Sequence, residues 1–412
     1  MTMTQSEIYQ ELKKCVKCGA CMAVCPIYRQ TGREEMVARG KLNLIEIIHN
    51  NRELPEAWIE AVDHCLLCCS CEENCSKEVK ITEVIAAARI HQTEIKGLNK
   101  VKKGAFALLK NRIFSIAKFV KLGSLVQWIL WRRLPRHSGL VRRLPLPGID
   151  ENMVVPILPR RNLDDILKKR KINPQLPSLL FFPGCATRYL QPQMGLDLIF
   201  VLEQLGFNPI VPTEFNCCGM VTWGAGDAAT NTQLKEGNLK VFNDNAQVKT
   251  VVTGCASCGH ALKEYDNLPQ ECEILDISEF LFRHKEKLEQ LVAGRNLTRK
   301  ITYHDPCHLR KGQGITKEPR WLLKLIAGEN FIEMRHPERC CGAGGTFGLT
   351  HKELSRKILK EKTDAADATG AEIVTSGCPG CLLQLTEGAV VADSSWQTEH
   401  PLSLLAELLR NS

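Results

Sequence analysis

Cys15, Cys18, Cys21 and Cys25 stand in one run, Cys15-Val-Lys-Cys18-Gly-Ala-Cys21-Met-Ala-Val-Cys25-Pro26. Thiolates are soft metal ligands, and the spacing C-x2-C-x2-C-x3-C-P lets three of them, from one tight loop, grip a [4Fe–4S] cube. The fourth reaches across to a second cube. A second run supplies that partner: Cys65-Leu-Leu-Cys68-Cys69-Ser-Cys71-Glu-Glu-Asn-Cys75, with Ser76 where proline is usual. The expected ligand sets therefore cross, with Cys15, Cys18, Cys21 and Cys75 on one cube and Cys65, Cys68, Cys71 and Cys25 on the other. Structural zinc and disulfides are the other uses of such cysteines; two complete runs in one chain weigh against both.

Ten further cysteines form a repeat. The first set is Cys185, Cys217-Cys218-Gly219 and Cys255-x-x-Cys258; the second is Cys307, Cys340-Cys341-Gly342 and Cys378-x-x-Cys381. The copies are offset by 122 residues at the leading cysteine and by 123 at every other. Five cysteines exceed the four that one cube or one zinc ion takes. Adjacent cysteines do not easily share one ion, but they can bridge irons of a distorted cluster, and the glycine after them lets the backbone come close. His304 and His308 flank Cys307, and His260 follows Cys258. Each is a candidate proton donor or a hydrogen bonder to a cluster sulfur, with a structural histidine as the simpler reading. Cys69 and Cys272 are left over; Cys272 reads as a small buried apolar residue.

The elements that must position these residues follow from periodicity. Ile8 and Leu12 mark a helix over Ser6–Lys14; Leu42, Ile45, Ile48, Trp58 and Val62 continue helical spacing between the runs, and Ile81, Val84, Ile85 and Ala88 mark an exit helix. From residue 177 the pattern turns α/β. Strands are expected at Ser178–Phe182, Asn208–Val211, Val251–Thr253, Ile301–Tyr303 and Ile373–Thr375, with helices at Leu196–Leu205 and 319–327. The repeated cysteines fall at strand ends, where ligand sites of α/β sheets lie. The expected division is a helical module at 1–95, a connector at 96–176, and two copies of one α/β fold at 177–297 and 298–412. The fold class is thus α+β overall: an all-helical double-cluster module, then two tandem α/β domains related by duplication.

Length and 44% apolar content allow two or three domains with their own cores. Met1–Lys13 is polar with no apolar central run, so a cytosolic protein is expected, and there thiols stay reduced and clustered cysteines mean metal. The net charge of +8 has one source. Lys100–Arg143 holds twelve Lys and Arg with no acid from Ile95 to Ile149, while the rest carries 42 bases against 46 acids. Ile113, Ile116, Ala117, Val120 and Ser124 share a helical face there, with Lys110, Lys118 and Lys121 elsewhere. The uncharged run Leu122–Trp131 is too short for a spanning helix, which needs roughly twenty apolar residues. An amphipathic helix on an anionic membrane face or an acidic partner subunit fits, with a plain connector as the alternative. Leu144-Pro-Leu-Pro147-Gly148 and the prolines at 156 and 159 read as a stiff linker. No G-x-G-x-x-G opens a helix after a strand, so no flavin or nicotinamide site is expected, and Gly342-Ala-Gly344-Gly345 reads as part of a cluster loop. No catalytic residue is assigned.

With these residues in place the chain resembles a known family. The repeat is similar to the cysteine-rich CCG domain, duplicated as in the catalytic subunit of heterodisulfide reductase, and the spacing between the first two runs resembles a succinate dehydrogenase-type or heterodisulfide reductase-type ferredoxin module. Fused over nearly the whole chain, the two resemble the iron–sulfur subunit of glycolate oxidase or D-lactate dehydrogenase and the corresponding subunit of anaerobic glycerol-3-phosphate dehydrogenase. Val37-Ala38-Arg39-Gly40-Lys41 resembles a short element of the glycolate and lactate branch. The resemblance implies two cubane clusters, one or two further non-cubane [4Fe–4S] clusters on the CCG cysteines, and a partner FAD flavoprotein that oxidises a 2-hydroxy acid. It also implies transfer onward to quinone, a membrane subunit or another carrier, peripheral attachment to the inner membrane face, and no nucleic-acid partner. The alternative it allows is a subunit cleaving a disulfide at a CCG cluster.

Overall fold

The computed structural model describes residues 3–48, 54–110, 116–133, 139–142, 154–171 and 173–411. Up to residue 110 the described elements are all helical. The first helix, Gln5–Lys14, starts one residue before the expected bound because Thr4 caps it. Its hydroxyl accepts from the Glu7 N–H at 3.3 Å while the Glu7 carboxylate accepts from the Thr4 N–H at 2.7 Å, so two orphan donors are satisfied together. Helices Ala38–Ile48, Glu56–Asp63 and Ile81–Lys96 bury Leu42, Ile45, Trp58, Val62, Val84 and Ile85 against one another, the positions that periodicity singles out.

In the basic connector, helices Lys100–Lys110 and Ile116–Leu130 precede an antiparallel sheet of β1 (Trp131–Arg133), β2 (Gly139–Arg142) and β3 (Val154–Pro156), which periodicity did not anticipate. Ile113, Phe114, Arg136, Arg143 and residues 144–148 lie outside the described residues. Helix Ile116–Leu130 turns Val120, Ser124 and Gln127 inward, while Phe119, Leu122 and Leu125 are 65%, 64% and 65% exposed. The inward polar groups are paired: Gln127 accepts from the Leu158 N–H and donates to the Leu158 carbonyl. No helix among the described residues is long and apolar enough to cross a membrane.

Two parallel sheets follow. The first has the order β5-β4-β6-β7, with β4 at Ser178–Phe181, β5 at Asn208–Ile210, β6 at Thr250–Thr253 and β7 at Glu273–Asp276. The second has β8 (Ile301–Tyr303), β9 (Ile373–Thr375) and β10 (Gln397–Glu399) in that spatial order, with a lone parallel bridge from Ile301 to Phe331 where β5 has its counterpart. Leu179, Leu180, Phe181, Val251 and Val252 are buried, as parallel strands covered on both faces require.

The two copies pack reciprocally. The last helix of the second, Pro401–Arg410, lies on helix Pro192–Gln204 of the first, with Arg410 on Asp197 at 2.7 Å; helix Ile277–Arg283 of the first lies on Lys317–Ala327 of the second. These helices are equivalents across the duplication, so the contact has the self-complementary form of a two-fold dimer made within one chain. One apolar cluster, with Leu179, Phe181, Ile301, Tyr303 and Leu405, joins the outer faces of both sheets. Another joins the cysteine-bearing faces to the N-terminal helices.

Candidate metal centres

The N-terminal runs build two cavities. Cys15, Cys18, Cys21 and Cys75 line one; Cys25, Cys65, Cys68 and Cys71 line the other. The crossing follows from short helices. The chain coils through Ala20–Val24, which carries Cys21, and is relaunched at Pro26, the first residue of helix Pro26–Thr31, which carries Cys25 away from its own loop. Ser76, lacking that ring, sits in a turn, and the next helix begins at Ile81. Both loops need left-handed residues on either side of their second cysteine: Lys17 (φ 57°) and Gly19 (φ 84°) in one, Leu67 (φ 51°) and Cys69 (φ 56°) in the other. Cys69 therefore occupies the glycine position of the first loop, buried and outside the second cavity.

Burial, with Cys68 and Cys65 close by, pushes the Cys25 thiol up to about 11, and burial with Cys65 and Cys68 raises Cys71 well above its ordinary value. Such thiols ionise only when a cation joins them. Part of the compensating charge is built in. Arg39 lines the first cavity and donates to the Lys17 carbonyl at 3.2 Å. Lys41 lines the second, buried, and donates to the Ala61 carbonyl at 2.5 Å. Between them Gly40 lies against Glu34 and Glu35, where a Cβ would stand 2.3 Å from the Glu34 carbonyl oxygen. The element Arg39-Gly40-Lys41 thus serves both cavities at once.

The duplicated cysteines converge beyond the carboxyl ends of the two sheets. In the first copy Cys217 Sγ lies 3.9 Å from Cys185 Sγ, Cys218 is within reach of Cys217 and Cys258, and Cys255 of Cys258. In the second, Cys340 reaches Cys307 and Cys341, and Cys381 reaches Cys341 and Cys378. Helices begin at these loops: Cys255 and Cys378 are N-caps, Cys307 opens its helix, and Met220–Gly224 starts after Cys218. Their amide N–H groups favour thiolate. Gly219 (φ 83°) and Gly342 (φ 87°) are required twice over, by the left-handed turn and by contact, since a Cβ would meet Asn231 Oδ1 at 2.2 Å and the Ser355 carbonyl oxygen at 2.7 Å.

The sites touch. Cys255 and Cys378, equivalents in the two copies, are within reach of each other, and the Ala256 N–H donates to the Gly377 carbonyl at 3.0 Å. Cys68 of the second cavity is within reach of Cys340. All ten duplicated cysteines are buried or half-buried, whereas Cys18 is exposed. Cys272 is half-buried in the turn before β7, less enclosed than expected, and belongs to none of these groups.

Groups not singled out from sequence hold this arrangement. Arg89 donates to the carbonyls of Val62, Asp63 and Cys65 and, across the module boundary, of Gly224 at 2.5 Å. Lys311 donates to Ser70 Oγ at 2.6 Å and to the Glu338 carbonyl at 2.8 Å, beside Cys68, Cys307 and Cys340. Lys362, buried, donates to the carbonyls of His336 and Pro337 beside Cys341. The signal for Lys362 was its place in the apolar stripe Ile358, Leu359, Ala366 of helix Lys352–Asp367. Of the candidate histidines, His308 is satisfied: Nε2–H donates to the Leu67 carbonyl and Nδ1 accepts from Ser257, both at 3.0 Å, tying all three modules together. His260 lies tilted against it, with ring centroids 5.1 Å apart. His304 is different, with both ring nitrogens buried and, among the described residues, unpaired.

A helical module with two interleaved four-cysteine cavities, joined to a duplicated α/β unit with five cysteines at each sheet's end, defines an iron–sulfur protein. The 4Fe-4S dicluster domain matches residues 11–79 and the Cysteine-rich domain matches twice, at residues 179–263 and 301–386. The chain belongs to the family of glycolate oxidase iron–sulfur subunits, which is related to heterodisulfide reductase. A probable glycolate oxidase iron–sulfur subunit of Bacillus subtilis is 30% identical over 398 residues, covering 92% of this chain and 89% of that protein. The glycolate oxidase iron–sulfur subunit of Escherichia coli is 26% identical over 402 residues, 93% of this chain and 92% of that one. One subunit of the dihydromethanophenazine:CoB–CoM heterodisulfide reductase of Methanosarcina acetivorans is 27% identical over 427 residues, 97% of this chain and 94% of that one.

Proposed function

We propose that this chain is the electron-transfer subunit of a flavin-dependent 2-hydroxy-acid dehydrogenase complex, with glycolate or lactate as the acid. A partner FAD subunit removes the hydride, and electrons leave through this chain to quinone or another carrier. The observation that carries this reading is the series of thiol sites: the cavity with exposed Cys18 shares its Ala38 and Ile81 wall with the cavity of Cys68, Cys68 reaches Cys340, and Cys378 reaches Cys255 of the first copy. Glycolate oxidase relatives that align nearly end to end support it.

In this reading Cys15, Cys18, Cys21 and Cys75 hold one cube and Cys65, Cys68, Cys71 and Cys25 the other. Cys185, Cys217, Cys218, Cys255 and Cys258, and Cys307, Cys340, Cys341, Cys378 and Cys381, hold the non-cubane centres. The donor sets fit, being thiols in groups of four or five with amide dipoles and buried cations beside them. Clusters, when bound, exchange single electrons. The protein's part is to keep water from the inner sites, to hold neighbouring sites in contact, and to offset thiolate charge with Arg39, Lys41, Lys311 and Lys362. The row Phe119, Leu122, Leu125, flanked by exposed Lys118 and Lys121, is the surface we assign to the partner or the inner membrane face.

A second reading, disulfide cleavage at a duplicated site, is favoured by the heterodisulfide reductase relatives, which also span the chain. Anaerobic purification of the chain with whatever it binds separates the two. The first reading expects a stoichiometric FAD protein through which glycolate or lactate reduces the iron–sulfur chromophore. A membrane cytochrome b in its place, with disulfide reduction and no response to either acid, would overturn it in favour of the second.

A further inference from the structure

The duplicated sites share their five cysteines but not the residue that backs them. Three residues before Cys185 stands Phe182; three before Cys307 stands His304. Each follows the last residue of its strand, β4 or β8, and so stands at the carboxyl end of its sheet. Phe182 is a packing residue, edge to face with Phe215 at 4.9 Å between ring centroids. His304 is 0% exposed, and its backbone is fully engaged: its N–H donates to the Thr375 carbonyl at 2.9 Å and its carbonyl accepts from Ser376 Oγ at 3.1 Å. Yet neither ring nitrogen finds a hydrogen-bond partner among the described residues.

The polar groups around the ring are committed elsewhere. Asp305 is held by Arg310 at 3.2 Å and Arg320 at 2.9 Å, and Lys362 by the carbonyls of His336 and Pro337. One ring nitrogen, Cys341 Sγ and Cys381 Sγ all lie within 4.8 Å of one another. Two bonds of about 2.0 Å to nitrogen and about 2.3 Å to sulfur, meeting at one metal, span about 4 Å. A buried imidazole without a partner is destabilising unless something other than the polypeptide pairs with it.

We propose that His304 is a metal ligand of the second duplicated site, giving an imidazole nitrogen to an iron of the centre held by Cys341 and Cys381. The first site, with Phe182 in its place, has thiolates only. This inference rests on reading the cysteine groups as metal centres. A neutral imidazole contributes no negative charge where a thiolate would, and histidine ligation raises a cluster's reduction potential.

The test uses the full chain, purified anaerobically, with natural or 15N-labelled histidine, poised at stepped potentials and read by pulsed paramagnetic resonance. A strongly coupled histidine nitrogen is expected in one centre, lost in His304→Phe and in His304→Cys. His304→Cys, which keeps a donor in place, should retain the wild-type iron content with a lowered potential at that centre alone. Iron above that of Cys341→Ser with no strongly coupled nitrogen in the wild type overturns the ligand assignment alone. So does an unchanged spectrum and potential in His304→Phe. Wild-type iron no higher than in Cys341→Ser shows that the site holds no metal, and overturns the underlying reading as well.

Discussion

Buried charge is the central physical problem for the residues of this chain. An uncompensated buried ammonium costs several kcal/mol, and Lys41 has three donors but, among the described residues, only the Ala61 carbonyl as an acceptor. Burial pulls the Lys41 ammonium below its ordinary value, and thiolates at Cys65 and Cys25 in the same cavity pull it back up, so ionised cysteines there hold its charge in place. Histidines face the opposite constraint. Burial pushes His400 down to about 4, and burial followed by neighbouring His64 does the same to His351. An unfolded histidine titrates near about 6.5. Between about 6.5 and 4 the unfolded chain therefore binds protons that the folded chain refuses. Stability is complete above that window and falls as pH drops through it. The thermal midpoint should fall from about pH 7 to about pH 5. His400→Asn keeps an N-cap for helix Pro401–Arg410 without titrating, so its midpoint should fall less steeply; equal slopes would contradict the assignment.

At the scale of elements, the cysteine loops store strain and the surface helix stores adhesion. A non-glycine residue in the left-handed region costs roughly 1–2 kcal/mol, and the second loop holds two, Leu67 and Cys69. Helix Ile116–Leu130 exposes Phe119, Leu122 and Leu125, and covering such side chains gains about 1.5–3 kcal/mol each. Replacing all three by Ser should weaken attachment to the partner complex or to anionic vesicles by about 100-fold or more, at about 1.4 kcal/mol per tenfold. Attachment should also weaken with salt, since Lys118 and Lys121 are exposed. Unchanged binding in a co-sedimentation assay would make this segment a plain connector. Sequence was informative where burial is two-sided: β4, β6, β8 and β9 are short apolar runs that read as strands. It was silent for β10, Gln397-Thr-Glu399, an edge strand with no apolar residue, and weak for β7, where Glu273-Ile-Leu-Asp276 offers only two. Helix Gly184–Tyr189 is too short, behind Pro183-Gly184, to show a helical period in sequence, while in the fold Gly184 (φ 66°) launches it.

For the whole molecule, the duplication is a packing device as much as a repeated site. Equivalent helices cover each other across the two copies, which brings Cys255 and Cys378 together. The cysteine spacing alone showed that the copies exist and which residues gather within each; their contact, and that of Cys68 with Cys340, depends on long-range packing that no local pattern encodes. Arg89 and His308 clamp the helical module onto both copies through backbone carbonyls, groups that carry no sequence signature, and Lys311 adds a bond to the Ser70 hydroxyl. Both cube sites and at least one duplicated site must hold iron. Iron and zinc content per chain, measured on the anaerobically purified protein, tests that most directly. Four irons per centre give about sixteen with both duplicated sites filled and about twelve with one, without stoichiometric zinc. Cys341→Ser or Cys218→Ser should lose about four where its site is filled, and Cys69→Gly, outside the second cavity, should lose none. About eight irons with stoichiometric zinc would mean that the duplicated sites are structural zinc sites, and would contradict the account.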